Sequence, residues 1–120
     1  MKTVAFTTSG RDLSAELDPR FGRSAGFLLY NLDTSSSTYI NNDQGRAAAQ
    51  GAGVQAAEMI VRAGVDALVT GHCGPKAYRV LEAAGLKVYN CDLPVINQAL
   101  EALLAGKLQE ATVADVAAHW

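Results

Sequence analysis

The sequence predicts a three-layer α/β domain with a mixed five-stranded sheet, and three observations carry that prediction. Short apolar runs alternate with segments of helical periodicity along most of the chain. A strand–turn–strand pattern precedes a strand–helix–strand–helix pattern, so antiparallel and parallel neighbours are expected in one sheet. The length of 120 residues suits one domain, 1–120, and neither an internal repeat nor a linker divides it.

The first part of the chain predicts strands and a long loop. The expected elements are a buried strand at 4–7, a polar loop at 11–24, and the two strands of a hairpin at 26–32 and from residue 38 to 40. The breaker Asp18-Pro19 keeps the polar loop from forming a regular element. A connection rich in Gly and Ala follows at 41–53, and it is predicted to lead directly into a helix.

The second part predicts a βαβ unit followed by a last helix. Val54, Ala57, Ile60 and Val61 recur at helical spacing, and Gly64 is a typical residue to end that helix. The further elements are a strand at 65–70, a helix at 75–84 that begins with proline and ends before glycine, a strand at 86–89 and a helix at 94–105. The two strands should be parallel with a right-handed crossover. Beyond residue 106 no element is predicted.

Composition excludes several classes of function. The net charge of −2 gives no basic field for nucleic acid or for an anionic membrane surface. No apolar run approaches the ~20 residues that span a bilayer, and the first residues are too polar for a secretion signal. The two cysteines, Cys73 and Cys91, form neither a CxxC pair nor a zinc set. We therefore expect a cytoplasmic protein with reduced thiols, and Cys91 is interpreted as a core thiol.

Three segments should meet at one edge of the sheet, because ligands of open α/β sheets lie at the carboxyl ends of parallel strands. They are the loop with Arg11, Arg20 and Arg23, the glycines before the first long helix, and the turn at 71–74. Arginine and free N–H groups at helix starts both favour an anion. In ordinary alternatives the arginines are solvated or paired with Asp18, and the glycines allow close packing.

The turn between the fourth strand and its helix reads Gly-His-Cys-Gly. His72 and Cys73 offer a borderline nitrogen and a soft sulfur, which suit copper or zinc better than magnesium. Since both stand between glycines in a strand-to-helix turn, they are the predicted pair next to a metal. The segment 45–53, in contrast, lacks a full GxGxxG pattern and predicts no dinucleotide site.

Several segments, in order along nearly the whole chain, resemble one known family. The matching segments read DPRFGR at 18–23, GAGVQAA at 51–57, GVDALVTGHCGPKA at 64–77, LEAAGLKVY at 81–89 and the closing segment 100–108. They resemble the dinitrogenase iron–molybdenum cofactor biosynthesis family, and within it most closely the stand-alone orange-protein type. The resemblance implies a ribonuclease H-like fold and non-covalent carriage of a molybdenum–copper sulfide cluster, or of a related iron–molybdenum cofactor precursor.

The loops at this edge of the sheet offer the residues that would serve such a cluster. Such a cluster is an anion with its own sulfide ligands, so it needs positive charge, backbone donors and an apolar wall. The predicted cofactor-binding residues are Arg11, Arg20, Phe21, Arg23, Gly51, Gly53, Gly71, His72, Cys73 and Gly74, with Cys73 and His72 as candidate metal ligands. Partner ATPases or cofactor acceptors are the protein partners that the resemblance implies.

Other functions were weighed against carriage of a cluster. A nuclease would need clustered carboxylates on the central strands, and the first strand carries none. A thiol enzyme could use Cys73 at a helix start, but no orienting third group is evident. A scaffold or regulatory role beside ATPases stays open. The expected protein is a carrier and not an enzyme.

Overall fold

A computed structural model describes residues 1–47 and 51–112, which form an α/β fold around a mixed sheet of six strands. Its elements, in chain order, are β1 (Thr3–Thr8), β2 (Gly26–Asn31), β3 (Ser37–Asn41), α1 (Asp43–Ala47), α2 (Ala52–Ala63), β4 (Ala67–Thr70), α3 (Pro75–Ala83), β5 (Lys87–Asn90), α4 (Ile96–Leu104) and β6 (Gln109–Glu110). The predicted α/β class and the mixed sheet are confirmed.

The strand order in the sheet is β3-β2-β1-β4-β5-β6. β1, β4 and β5 run parallel, whereas β2, β3 and β6 each pair antiparallel with their neighbours. All five predicted strands are present. The sixth strand exceeds the prediction because the chain returns after α4 and pairs Gln109 and Glu110 with β5. Two exposed polar residues have no apolar alternation, so the sequence contains no signal for this strand.

Helices cover both faces of the sheet. Alternate strand residues point to opposite faces, so Ala5 and Leu68 belong to one core cluster while Val4 and Val69 belong to the other. The first cluster also contains the buried sides of α2 and α3, and the second contains that of α4. α2 and α3, the two helices that follow glycines, therefore pack on the same face of the sheet.

The short helix α1 lies where the sequence predicted an irregular connection. Its start is organised by Asn42, which is fully buried and donates from Nδ2 to the backbone oxygen of Ser24 at 3.0 Å. A Cβ on Gly45 would lie only 2.4 Å from the Oδ1 atom of Asn42. Glycine lowers helix propensity, which is why the sequence predicted an irregular connection here. Glycine is nevertheless required at position 45, because any side chain there would collide with Asn42. Among the described residues, no helix is both long and apolar enough to cross a membrane.

Candidate anion-binding site

The loop between β1 and β2 folds over the carboxyl ends of the parallel strands. Two buried threonines at the end of β1 hold it there. The hydroxyl of Thr7 donates to the backbone oxygen of Asp18 at 2.5 Å, and that of Thr8 donates to Glu16 O at 2.6 Å. The N–H of Asp18 in turn donates to Thr7 O at 2.7 Å. These bonds satisfy the buried hydroxyls and fix the position of the loop at this edge.

The same loop is bonded to the turn that follows β4. The N–H of His72 donates to Pro19 O at 2.7 Å, and the N–H of Phe21 donates to His72 O at 3.2 Å. Gly71 makes this approach possible, because a Cβ there would lie 2.7 Å from both Cα and O of Pro19. The basic loop and the Gly-His-Cys-Gly turn therefore adjoin, as the sequence predicts.

A cleft of about 390 Å³ lies between the beginnings of α2 and α3, and we call it the helix-start cleft. It is lined by Gly22, Arg23, Gly51, Ala52, Gly53, Val54, Gly74, Pro75, Lys76 and Ala77. No side chain caps the first turn of either helix. The first N–H groups of a helix have no partner within it, and the helix dipole adds partial positive charge, so two such ends favour an anion.

Glycine allows the backbone segments around the helix-start cleft to approach closely. A Cβ on Gly22 would lie 2.8 Å from the backbone nitrogen of Gly53, so the loop packs directly on the first turn of α2. A Cβ on Gly53 would lie 3.3 Å from the Cβ of Ala77 on α3. Gly51 has a φ of 74°, in the left-handed region where glycine is favoured. The short side chains leave backbone groups on the wall of the cleft.

Two side chains add positive charge to the helix-start cleft. Arg23 and Lys76 are exposed and both line it. The guanidinium of Arg23 donates from Nη1 to the backbone oxygen of Arg46 at 2.7 Å, which ties the basic loop to α1. The cleft therefore combines fixed cations with helix starts.

A second cleft of about 450 Å³, here the arginine cleft, shares Arg23 with the first. Its wall also contains Arg20 and Arg46. Arg20 is 69% exposed and lies 3.6 Å from the carboxylate of Asp18, the ion pair that the sequence had suggested as an ordinary alternative. An exposed pair of this kind contributes little stability, so Arg20 can exchange it for another anion at small cost.

Arg11 and Phe21 lie outside both clefts. The guanidinium of Arg11 stacks on the ring of Tyr39, 4.5 Å from its centroid. Phe21 is only 2% exposed and packs against Phe27 with a ring-centroid distance of 5.6 Å. Neither residue lines a described cleft. Phe21 nevertheless adjoins His72 through the bond from its N–H to His72 O, and it shares a core cluster with Cys73, whereas Arg11 lies over Tyr39.

His72 and Cys73 are adjacent in sequence but belong to different surroundings. Cys73 is 3% exposed and packs in the core cluster beneath α2 and α3. Burial raises the pKa of its thiol to about 12, and the thiol lies 3.7 Å from Gly74 O, to which it donates. His72 is exposed and lines a different cleft. The ligand role predicted for Cys73 stays a prediction.

The cleft beside His72, here the His72 cleft, has a volume of about 770 Å³. Gly71, Cys91 and Lys107 are on its wall as well. Cys91 is 6% exposed and packs in the core cluster beneath α4, which agrees with its interpretation as a core thiol. Burial raises the pKa of Cys91, while a backbone hydrogen bond from Leu93 acts in the opposite direction.

Within residues 1–47 and 51–112, no three or more His, Cys, Asp or Glu side chains are grouped so that they could hold a metal ion. A bound metal would therefore need ligands of its own or a smaller set of protein ligands.

Sequence reasoning did not select Gly22, Arg46 or Lys76. Lys76 had a usable signal, because it follows the proline that begins a helix and so stands at the helix start. Arg46 had none, since its place beside Arg20 depends on how α1 packs against the loop. Gly22 is recognisable only from its contact with α2.

The fold and the clefts together define an α/β protein with a cleft that is lined by two helix starts, Arg23 and Lys76. The family profile described as Dinitrogenase iron-molybdenum cofactor matches residues 1–106, and the chain belongs to this family.

Three similar proteins support that assignment. The apo form of the orange protein from Desulfovibrio gigas superposes with a TM-score of 0.88 at 38% identity, over 93% of this chain and 94% of that chain. TM1290 of Thermotoga, solved by NMR as a NifB-type protein, has a TM-score of 0.79 at 31% identity, over 92% of this chain and 93% of its own. MJ0580 of Methanocaldococcus jannaschii is 30% identical over 96 residues, 78% of this chain and 81% of that protein.

Proposed function

We propose that this protein binds and carries an anionic metal–sulfur cluster, of the molybdenum–copper sulfide type, without covalent attachment. The observation that carries the proposal is the helix-start cleft, where two uncapped helix starts meet Arg23 and Lys76. Membership in an iron–molybdenum cofactor family and the likeness to the orange protein support the same class of cargo. The volume of about 390 Å³ lies within the range of small-ligand sites.

The chemistry of the cleft suits a cluster that brings its own sulfide ligands. Sulfide-ligated molybdenum is anionic and accepts hydrogen bonds, so free N–H groups and cations bind it without displacing a ligand. Gly51, Gly53 and Gly74 line the cleft without side chains that would cover the helix starts, and Arg23 supplies a positive charge. The cluster would then need no thiolate from Cys73.

The neighbouring arginine cleft extends the same positive surface. Arg20 and Arg46 lie beside the shared Arg23, so an anion longer than the helix-start cleft would still meet positive charge. We infer that these arginines attract the cluster and that the helix starts hold it. Attraction by exposed charges weakens as salt increases, which separates the two contributions.

We further propose that the protein is a carrier and not a catalyst, acts in the cytoplasm, and releases its cargo to an acceptor protein or a partner ATPase. Non-covalent binding supports release, since no bond to the chain must break. The strand order β3-β2-β1-β4-β5 with β2 reversed supports the ribonuclease H-like name for the fold.

The test is reconstitution with tetrathiomolybdate and copper, followed by desalting, a visible spectrum and metal analysis. We expect a coloured protein with a defined Mo:Cu ratio. In the double variant Arg23→Ala/Lys76→Ala the apparent affinity should fall about tenfold or more, because each charge-assisted hydrogen bond contributes about 1.5–3 kcal/mol. A colourless, metal-free eluate from the unaltered protein would refute carriage of a cluster.

The matched control is Arg11→Ala/Lys107→Ala, which removes the same two charge types away from the helix-start cleft. It should retain the cluster like the unaltered protein. Equal losses in the two double variants would show that net charge, rather than this cleft, governs retention.

A further inference from the structure

The His72 cleft is separate from the anion site and lies on the other side of the Gly71–Gly74 turn. Its cysteine, Cys91, packs in the core cluster beneath α4, whereas Cys73 packs beneath α2 and α3. The cleft is not part of the cluster site, and its two metal-binding side chains, His72 and Cys91, have no role in the proposed function.

Strand pairing brings these two side chains to one edge. Thr70 pairs in parallel with Asn90, and the N–H of Cys91 donates to Thr70 O at 3.0 Å. Cys91 therefore stands beside the first residue of the turn, and His72 is the next residue along. Both residues line the same cleft of about 770 Å³.

The backbone on both sides is held in place before any ligand arrives. His72 donates its N–H to Pro19 O at 2.7 Å and accepts from Phe21 N at 3.2 Å, so its main chain is fixed by two bonds. Cys91 is fixed by its bond to Thr70 and is almost fully buried, yet it faces the cleft. Ligands on a rigid backbone lose little freedom when a metal binds.

The number and type of ligands select the metal. Thiolate and imidazole are soft and borderline ligands, which suit copper and zinc. Zinc sites need three or four protein ligands, and among the described residues no third His, Cys, Asp or Glu completes a set. Monovalent copper accepts two ligands, and a thiolate is its preferred partner.

We propose that His72 and Cys91 form a binding site for Cu(I), distinct from the cluster cleft. On binding, Cu(I) forms one bond to the sulfur of Cys91 and one to an imidazole nitrogen of His72. The thiol proton leaves to solvent, and the copper remains monovalent, so no oxidant or reductant is consumed. The site would let the chain hold copper whether or not the helix-start cleft is filled.

The test is an anaerobic competition for Cu(I) between the reduced full-length protein and bicinchoninate, followed by the absorbance of the copper–chelator complex. The unaltered protein should withdraw one equivalent. Cys91→Ser and His72→Gln should each weaken Cu(I) affinity at least tenfold. Cys73→Ser, the same chemical change in the other core cluster, should leave it unchanged.

Several results would overturn the proposal. They are no Cu(I) uptake by the unaltered protein, unaltered affinity in Cys91→Ser or His72→Gln, or an equal loss in Cys73→Ser. His72 is exposed, so His72→Gln keeps the test decisive even where a cysteine variant folds poorly, which circular dichroism would detect. Binding of tetrathiomolybdate without copper, measured on the same variants, reports on the anion site alone, so the two proposals fail separately.

Discussion

The helix-start cleft and the His72 cleft lie on either side of one four-residue turn, yet they offer opposite chemistry. The first presents backbone N–H groups and the cations Arg23 and Lys76, while the second presents the imidazole of His72 and the thiol of Cys91. Gly74 contributes to the first cleft and Gly71 to the second. One short turn can thus line two clefts, because its residues face different layers of the fold.

The turn itself separates the two residues. Along β4 alternate residues belong to opposite core clusters, with Leu68 in the first and Val69 in the second. Continued alternation would place Cys73 with Val69, but Cys73 packs in the first cluster, while His72 lines the cleft that contains Cys91. The turn therefore departs from the extended alternation of the strand.

The largest effect on the helix-start cleft is expected at Gly22. In Gly22→Ala the new Cβ would lie 2.8 Å from Gly53 N and 2.9 Å from Gly53 Cα, both backbone atoms that cannot rotate away. We expect a loss of roughly 1–3 kcal/mol in the free energy of unfolding, measured with urea, because such overpacking forces a backbone shift. Tetrathiomolybdate binding should fall as well, since the start of α2 must move.

Gly74→Ala is the matched control, because its Cβ would meet no atom within 4 Å and its φ of −66° suits alanine. It should change stability much less than Gly22→Ala. If Gly22→Ala also abolished Cu(I) binding while remaining folded, the two clefts would not be independent.

Cys73 and Cys91 should differ in how strongly each makes the free energy of unfolding depend on pH. Burial raises the folded-state pKa of Cys73 from 9.0 to about 12. Below pH 9 the thiol is protonated in both the folded and the unfolded state, so it gives the free energy of unfolding no pH dependence there. Above it the unfolded thiol ionises while the folded one stays protonated, so stability falls with a slope of up to about 1.4 kcal/mol per pH unit.

Urea unfolding at pH 8 and pH 10 measures this loss, and Cys73→Ala should reduce it clearly. Cys91→Ala serves as the comparison, since the pKa of Cys91 is raised too but a backbone hydrogen bond from Leu93 opposes the shift. If Cys91→Ala reduced the loss of stability between pH 8 and pH 10 more than Cys73→Ala, the identification of Cys73 as the more buried thiol would be wrong.

The smallest effect is expected in the reactivity of the native thiols. Cys91 lines an open cleft, whereas Cys73 lies in the core with a strongly raised pKa, so iodoacetamide at pH 8 should modify Cys91 first. Mass spectrometry of the digested protein, sampled over time, should show a rate difference of about tenfold or more. Equal rates would show that the core beneath α2 and α3 opens as readily as the His72 cleft.

Much of the fold was predictable because its long elements have strong periodicity. The five main strands and three long helices follow apolar patterns. Gly64 marks the end of α2, and Pro75 marks the beginning of α3. α1 and β6 were missed, because Gly45 lowers helix propensity and because Gln109 and Glu110 carry no apolar pattern. Both depend on contacts with distant residues instead.

For the site, the strand order predicted from sequence places a basic loop, a Gly-His-Cys-Gly turn and the glycines of two helix starts at one edge of the sheet. Which side chains share a cavity depends on tertiary packing. Arg11 lies over the ring of Tyr39, and Arg46 lines the same cleft as Arg20. Cys73 packs in the core, whereas His72 lines a different cleft. The reason is physical: local pattern sets an element and its facing, but a shared cavity is formed by packing between segments that are far apart along the chain.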